Sequence, residues 1–226
     1  MLLTQVLPAQ ETEKKSLFNW NRTGIFGGYG YHVSDFSEVN KLLSDSGYAT
    51  FKNNHFALNW GFSGRSEKVI FQFDFYKYTE CVEAETDTCS HINFNSFGFS
   101  LGYNLLKNKK HQLFPMVGFY RHKTEMLITD FKVPDKSFNG YFAGYRNVSQ
   151  VIRYNYAVHL GLGYDYFIPL GEKYSTEFSL GLRTGYYLQT SEGYFYVHDG
   201  KDVKLTGAPK INPAGGYVRL VGGFYF

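Results

Sequence analysis

The sequence predicts an all-β fold, an antiparallel up-and-down transmembrane β-barrel of about eight strands. Three observations lead to this fold class. Apolar and polar residues alternate over many short segments, as they do in strands with one apolar face. With 22 Phe, 20 Tyr and 24 Gly among 226 residues, the composition favours many strands over helices. Long and short connections also alternate along the chain, which is typical of a transmembrane barrel.

The segment from Arg153 to Tyr166 shows the alternation most clearly. Its even-numbered residues are Tyr, Val or Leu, and its odd-numbered residues are Arg, Asn, Ala, His, Gly or Asp. The register of the fifth segment stays open, because either Leu113, Val117 and Phe119 or Phe114, Met116 and Tyr120 could face outward. The predicted strands lie near residues 23–33, 55–63, 68–76, 92–106, 112–128, 153–166, 177–189 and 215–226.

The connections between these strands predict the direction of the barrel. Long connections lie near 34–54, 79–91, 129–149 and 190–213, and short ones near 64–67, 106–111 and 168–174. Barrels of this kind have short periplasmic turns and long extracellular loops, so an even strand number places both termini in the periplasm. The first long connection has apolar residues at helical spacing from residue 34 to 43, and Gly47 follows, which predicts a short helix.

A soluble barrel that carries an apolar ligand is the main alternative. In that architecture the apolar face points inward, but the Phe, Leu, Tyr and Trp side chains here would overfill a small barrel. An apolar face that points outward into water would form a patch far larger than soluble proteins tolerate. Lipid around the barrel resolves both problems, and closure satisfies the backbone hydrogen bonds that a bilayer demands.

The last strand ends the sequence on Phe224-Tyr225-Phe226. Phe224 and Phe226 share one face, and Arg219 lies on the other. This pattern resembles the C-terminal assembly signal of bacterial outer-membrane barrels, although Val221 stands where that signal usually has Gly. The whole chain after residue 22 resembles the small eight-stranded outer-membrane family typified by OmpX and the membrane domain of OmpA, in the form common in Bacteroidota.

The resemblance implies a location in the bacterial outer membrane and fixes the architecture without naming an activity. It implies contact with membrane lipid, insertion by the barrel assembly machinery, and partners among other outer-membrane or periplasmic proteins. The family includes structural anchors, adhesins, companions of larger complexes and a few lipid A-modifying enzymes. A net charge of +3 gives no reason to expect a nucleic acid partner.

The N-terminus and the two cysteines carry further expectations. Residues 1–22 are predicted to be a signal-peptide remnant and periplasmic leader, with cleavage after Ala9, and residues 23–226 to be the barrel domain. Cys81 and Cys89 lie close together in a polar segment, so export would favour a disulfide between them, whereas a cytosolic location would leave two free thiols.

Charged residues on the inward face predict a plugged lumen rather than a wide channel. Counting residues along each strand from the periplasmic side places one group of charged residues near the middle of the barrel and a second group in a lower layer. Ion pairs between these residues would relieve the cost of burying their charges. Separate hydration of these groups in a narrow wet tube is the alternative. The central group is Asp74, His159, Arg183 and Arg219, and the lower group is Asp165, Glu177 and Lys68.

No cofactor, metal site or catalytic set is predicted, and the chain is expected not to be an enzyme. His159, Ser179 and Glu177 all point inward, so they do not form a lipid-facing hydrolase set. His32 and His55 point inward on adjacent strands, but polar residues that line a wet mouth explain them more simply. The function expected is that of a non-enzymatic envelope protein, serving structure, adhesion or association with a larger outer-membrane complex. A small porin is the alternative, and a lipid A-modifying enzyme is a distant third.

Overall fold

A computed structural model describes residues 21–83, 88–130, 147–171, 176–191, 193–197, 203–204 and 209–226. These ranges contain ten strands and one helix, and no helix among them is long and apolar enough to cross a membrane. The elements are β1 (Arg22–Val33), α1 (Ser37–Asp45), β2 (Asn54–Arg65), β3 (Val69–Glu83), β4 (Thr88–Tyr103), β5 (His111–Asp130), β6 (Asn147–Pro169), β7 (Glu177–Gln189), β8 (Tyr194–Val197), β9 (Val203–Lys204) and β10 (Gly216–Tyr225).

Eight of these strands close into an antiparallel barrel. Each pairs with its neighbours in the order β5-β4-β3-β2-β1-β10-β7-β6, and the β5–β6 ladder closes the circle. The predicted up-and-down barrel and its strand number are therefore confirmed. The connections after β2, β4 and β6 are short and lie at one end of the barrel, which we call the short-turn end; the opposite end is the loop end.

Side chains alternate between the lumen and the outside, as the sequence predicts. In β5, Phe114, Met116 and Tyr120 are buried in the lumen whereas Val117 and Phe119 are exposed, which settles the register left open by the sequence. The exposed hydrophobic residues form a band around the barrel, which we call the apolar belt. It consists of Ile25, Tyr29, Leu58, Trp60, Phe62, Phe97, Phe99, Leu101, Val117, Phe119, Tyr156, Leu160, Leu162, Leu180, Leu182, Val218, Leu220 and Phe224.

The helix in the first long connection packs over the loop end of the lumen. Asp35 Oδ1 accepts hydrogen bonds from the Ser37 hydroxyl and amide at 2.7 and 3.0 Å, and these bonds lower the pKa of Asp35. The helix begins three residues later than predicted and, as predicted, Gly47 follows it with φ +77°. Its buried residues join one cluster with inward barrel side chains, so the loop end is closed by an apolar cap. The cap consists of Phe36, Val39, Leu43, Phe51, Ile211 and Ala214.

Three predicted loops contain strand structure instead. The β3–β4 ladder continues to the pair Glu83↔Cys89, and the β5–β6 ladder runs from His111↔Tyr166 to Asp130↔Asn147. Within the predicted loop at 190–213, β8 pairs with the edge of β6, and β9 pairs with β8. These segments lack regular apolar alternation, because beyond the belt neither face needs to be uniformly apolar. Backbone pairing with an existing strand extends the sheet without that pattern.

Candidate functional site

A buried cluster of one carboxylate and two guanidinium groups lies in the half of the lumen near the short-turn end. Asp165 Oδ2 is 2.5 Å from Arg65 Nη2, and Asp165 Oδ1 is 2.7 Å from Arg183 Nη1. Strand register explains the second contact, because Asp165 pairs with Gly181 and Gly163 pairs with Arg183, so the two charged residues are diagonal neighbours. We call Arg65, Asp165 and Arg183 the lower layer.

Arg65 holds the lower layer together through all of its nitrogen atoms. Nε donates to Ser63 Oγ at 3.1 Å, Nη1 to Gln112 Oε1 at 2.7 Å, and Nη2 to Tyr225 Oη at 3.0 Å. Its guanidinium carbon lies 4.9 Å from the centre of the Tyr225 ring. A fully buried arginine is tolerated when its charge is paired and its donors are satisfied, and both conditions hold here.

The second cluster, which we call the upper layer, is built around Arg219. Its Nη2 donates to Tyr187 Oη at 2.7 Å, its Nε donates to His32 Nε2 at 3.1 Å, and its Nη1 lies 3.6 Å from Asp74 Oδ2. The guanidinium carbon also lies 4.0 Å from the centre of the Tyr217 ring. Charge pairing and aromatic rings therefore surround this cation as well.

A second buried histidine beside Arg219, His159, takes part in a chain of hydroxyl groups. His159 Nε2 is 2.6 Å from Tyr217 Oη, and His159 Nδ1 is 3.1 Å from Ser100 Oγ. Ser100 Oγ in turn is 2.9 Å from Tyr120 Oη. A serine next to a histidine is a common nucleophile and base pair, but this one is buried on all sides inside the lumen, where a lipid substrate cannot reach it.

The structure divides the predicted charge set differently from the sequence. Asp74, His159 and Arg219 lie together, but Arg183 belongs to the lower layer with Asp165 rather than to the central group. Glu177 lies at the rim, where its Oε1 accepts a 2.9 Å hydrogen bond from Arg22 Nη2.

Lys68 is a correction, because it lies exposed in the turn between β2 and β3 and not in the lumen. It lines a cavity of about 830 Å³ at the short-turn end, together with turn residues such as Glu67 and Lys107. Arg65 lines the same cavity and lies below it in the lumen. Arg65 was assigned to the turn from the sequence and was therefore missed as a lumen residue. Every second residue of β2 points inward, and Arg65 continues that series.

A row of buried polar side chains crosses the lumen between the upper layer and the cap. Ser96, His122 and Asn155 pair side by side across β4, β5 and β6, and all three are buried. His32 and His55 are cross-strand partners, but His32 bonds to Arg219 and His55 Nε2 lies 3.0 Å from Ser34 Oγ. Among the described residues, no three His, Cys, Asp or Glu side chains group to hold a metal ion.

The outer surface of the barrel is apolar, and this shows which environment surrounds it. Leu58 is 64% exposed and Leu220 is 70% exposed, and the apolar belt has members on seven of the eight barrel strands. On β3 the half-buried Phe71, Phe73 and Phe75 complete the band. Such a surface is far beyond what a soluble protein tolerates, and a closed barrel leaves no unpaired backbone edge for lipid to meet. The chain is a transmembrane β-barrel. Where the structure describes their side chains, the charged residues of the barrel strands face the lumen or its rim, except for an outward group on β3 and β5 toward the loop end, which is Lys77, Glu83, Arg121, Lys123 and Glu125.

The transmembrane barrel is similar to several solved structures. Ail of Yersinia pestis, in complex with the heparin analogue sucrose octasulfate, is 13% identical, with 91% of this chain and 98% of that chain covered and a TM-score of 0.48. The outer membrane protein OprG from Pseudomonas aeruginosa is 13% identical, with coverages of 91% and 95% and a TM-score of 0.49. A major outer membrane protein from Thermus thermophilus is 11% identical, with coverages of 90% and 99% and a TM-score of 0.49. No protein-family model and no curated protein matches the chain.

The two cysteines lie on neighbouring strands at the loop end. Cys81 pairs with His91 and Cys89 with Glu83, so the two thiols are diagonal neighbours on the outward face of the barrel. Both are free in the structure. Burial, followed by the neighbouring Cys81 thiol, raises the pKa of Cys89 to about 11.

The disulfide between Cys81 and Cys89 stays a prediction. In exported protein we expect both thiols to be protected from alkylation under non-reducing conditions and to react after reduction, as measured by intact mass. The bridge should stabilise the loop end by about 2–4 kcal/mol at most, since it closes a short loop. Two alkylated thiols in exported, unreduced protein would contradict it. The segment between them, residues 84–87, lies outside the described residues.

The terminal strand β10 closes the barrel against β1. Phe226 N–H donates to Thr23 O at 2.8 Å, and Thr23 N–H donates to Phe226 O at 3.0 Å. Phe224 and Phe226 point outward and Arg219 points inward, which is the arrangement that the resemblance to the assembly signal implies. Their role in assembly stays a prediction. The predicted leader lies outside the described residues except for Asn21 and Arg22, and Arg22 begins β1.

Proposed function

We propose that this protein is a non-enzymatic integral barrel of the bacterial outer membrane whose loop end contacts a partner. The role we assign is envelope structure, adhesion or association with a larger outer-membrane complex. Both termini lie in the periplasm in this proposal, in keeping with the short turns at one end and the long connections at the other. The observation that carries the proposal is that side chains fill the lumen, while the sheet at the loop end continues beyond the apolar belt.

The filled lumen argues against a porin. An eight-stranded barrel has an interior just wide enough for its side chains, and here two charged layers and an aromatic cluster occupy it. At the loop end, Ser34 Oγ and Tyr78 Oη both donate to Pro213 O, at 2.7 and 3.1 Å. These bonds hold the segment around Pro213 over the loop end of the lumen. A solute entering from the loop end would therefore meet the apolar cap first.

The extended strands favour a binding role at the loop end. A transmembrane strand needs about 9–11 residues, whereas β5 has 20 residues and β6 has 23. The excess residues of β3, β4, β5 and β6, joined by β8, form what we call the extension sheet. A paired sheet is more rigid than a free loop, so it presents a defined surface at a low entropy cost of binding.

The outward face of the extension sheet is polar and already organised. Thr79 Oγ1 donates to Asn93 Oδ1 at 3.3 Å, and Asn93 Nδ2 donates to Glu125 Oε2 at 3.0 Å. Glu125 Oε1 lies 2.5 Å from Lys123 Nζ. Such a hydrogen-bonded row is the kind of surface that serves as the polar part of a protein interface.

The test is photo-crosslinking in native membranes combined with conductance measurements. A photoreactive residue replacing Asn93 on the extension sheet is expected to give a discrete protein adduct, whereas the same residue replacing Phe99 in the belt should give lipid adducts only. Purified wild type in planar bilayers should show no stable large conductance. A porin-like conductance, with no protein adduct from position 93, would overturn the proposal in favour of the transport alternative.

A further inference from the structure

Three cations lie on the outer surface of the barrel, at the loop-end margin of the apolar belt. Lys77 pairs with Asn95, and Asn95 pairs with Lys123, which places these residues in one row across β3, β4 and β5. Arg121 lies in the next row toward the belt, beside Phe97. We call Lys77, Arg121 and Lys123 the cation patch.

The cation patch is the only place where the barrel strands direct Lys or Arg outward, within the residues that the structure describes. Every other Lys or Arg of the described barrel strands belongs to the lumen side. Lys77 lies on β3 and Arg121 and Lys123 lie on β5, so three like charges gather on one face around Asn95 of β4. A surface that gathers charges of one sign attracts counter-ions of the other sign. The patch therefore points to an external negative partner.

The protein itself neutralises only part of this charge. Lys123 Nζ is paired with Glu125 Oε1 at 2.5 Å. The Arg121 guanidinium lies 4.6 Å from the centre of the Tyr154 ring and 5.8 Å from that of Phe97, which directs it along the surface. No carboxylate of the described residues lies within ion-pair distance of Lys77 or Arg121. Two of the three cations thus keep a charge available to a ligand.

The rows beneath the patch fix its depth in the membrane. Trp60, Phe75 and Phe97 share the row of Arg121, and Trp60 stacks on Phe75 with ring centres 4.4 Å apart. Phe73, Phe99 and Phe119 form the row below. Aromatic residues gather at the boundary between hydrocarbon and headgroups. Lys77 and Lys123 lie one row farther out, and the long Arg121 side chain extends from the aromatic row itself, so these cations reach the height of lipid phosphates.

We propose that the cation patch binds the phosphate of an anionic lipid in the leaflet at the loop end, with the acyl chains of that lipid lying on the aromatic rows below. Strand spacing places the Lys77 and Lys123 backbones roughly 10 Å apart, and Arg121 lies about 7 Å from Lys123 along its strand. Side chains of this length converge on one phosphate group across such gaps. The Asn95 amide, between the two lysines, supplies a neutral donor to the same group.

The position of Trp60 provides a direct readout of the bound lipid. The chain has two tryptophans, so Trp20→Phe leaves Trp60 as the only one, and its side chain is exposed to lipid in the row next to Lys77. We would reconstitute this variant in phosphatidylcholine vesicles that contain a minor fraction of a lipid brominated on its acyl chains. The brominated lipid is phosphatidylglycerol in one sample and phosphatidylcholine in the other. Quenching of Trp60 then reports which lipid occupies the surface beside the patch.

We expect brominated phosphatidylglycerol to quench Trp60 more strongly than brominated phosphatidylcholine at the same mole fraction. Each available cation should contribute about a fivefold preference in apparent association. Replacing Lys77, Arg121 and Lys123 together by Gln should remove the preference, whereas Lys77→Arg should keep it. The matched control replaces Lys107, Lys109 and Lys110 by Gln, which removes the same charge from the opposite end of the barrel.

Three outcomes would overturn the proposal. One is equal quenching by the two brominated lipids in the protein that keeps the patch. Another is the same loss of preference in the control variant, which would indicate a general effect of net charge. The last is that added inorganic phosphate abolishes the preference while sodium chloride of equal ionic strength does not. That result would assign the patch to a free anion instead of a lipid. Retained preference with inorganic phosphate supports the lipid headgroup.

Discussion

Asp165→Asn is expected to destabilise the barrel by about 3–5 kcal/mol, because it leaves two buried guanidinium groups without their shared counter-charge. Arg65 and Arg183 both lie within 2.7 Å of the Asp165 carboxylate, and all three side chains are buried. An amide of the same size keeps the packing and one acceptor but loses the charge. The measurement is equilibrium unfolding in urea from vesicles, read by tryptophan fluorescence.

Two further variants make this expectation specific to the lower layer. Asp45→Asn is the matched control, since Asp45 is exposed at the end of α1 and the same substitution there should change stability by less than about 0.5 kcal/mol. Adding Arg183→Met to Asp165→Asn should recover much of the loss, because it removes one of the two unpaired cations. An Asp165→Asn variant as stable as wild type would mean that the lower layer is held by hydrogen bonds and packing rather than by charge.

Strand alternation was sufficient to predict most of the barrel. In β6, every second residue from Arg153 to Asp165 is polar or small, and the structure places these residues in the lumen. The same pattern correctly assigned the outward row of β2 from Phe56 to Phe62. Alternation succeeds there because lipid imposes an apolar face on each strand, and a strand shifted by one residue would expose its polar face to hydrocarbon.

The heights of the lumen charges were harder to predict. Arg183 was expected beside Asp74 because the two were counted to similar positions along their own strands. Barrel strands are tilted and staggered in register, so equal counts on distant strands do not mean equal heights. The observed ladder makes Arg183 a diagonal neighbour of Asp165 instead. Neighbouring strands can be aligned from a single sequence through a short turn, but the stagger accumulated around a barrel cannot.

The lower layer also shows how an element boundary hides a site residue. Arg65 follows Gly64 in a stretch that reads as a polar turn, yet it is the last residue of β2 and points inward, as Ser63 does. Alternation carried two residues farther would have found it. The two-residue strand β9 offers no such signal, since two residues cannot show a period, and its pairing depends entirely on the neighbouring β8.

The glycines of the barrel explain how so many large side chains fit into a narrow lumen. A Cβ atom at inward Gly98 would lie 2.5 Å from Tyr120 Cγ and against the carbonyl oxygen of Phe119. The ring of Tyr120 therefore occupies the space that a side chain at position 98 would need. At outward Gly27 the nearest atom to an added Cβ would be Asn59 O at 3.7 Å, which is an ordinary contact.

Gly98→Ala is therefore expected to cost about 1–3 kcal/mol through overpacking, and Gly27→Ala is expected to be neutral or to stabilise by up to about 1 kcal/mol. Both positions lie in barrel strands, so the loss of backbone freedom in the unfolded chain is the same for the two variants. The difference between their unfolding free energies, measured in vesicles, isolates the crowding in the lumen. Because Tyr120 also contacts Ser100 Oγ, a shift of its ring would loosen the hydrogen bonds of His159 as well. Equal effects of the two substitutions would mean that the assigned faces of β1 or β4 are wrong, and the packed lumen would lose its main structural support.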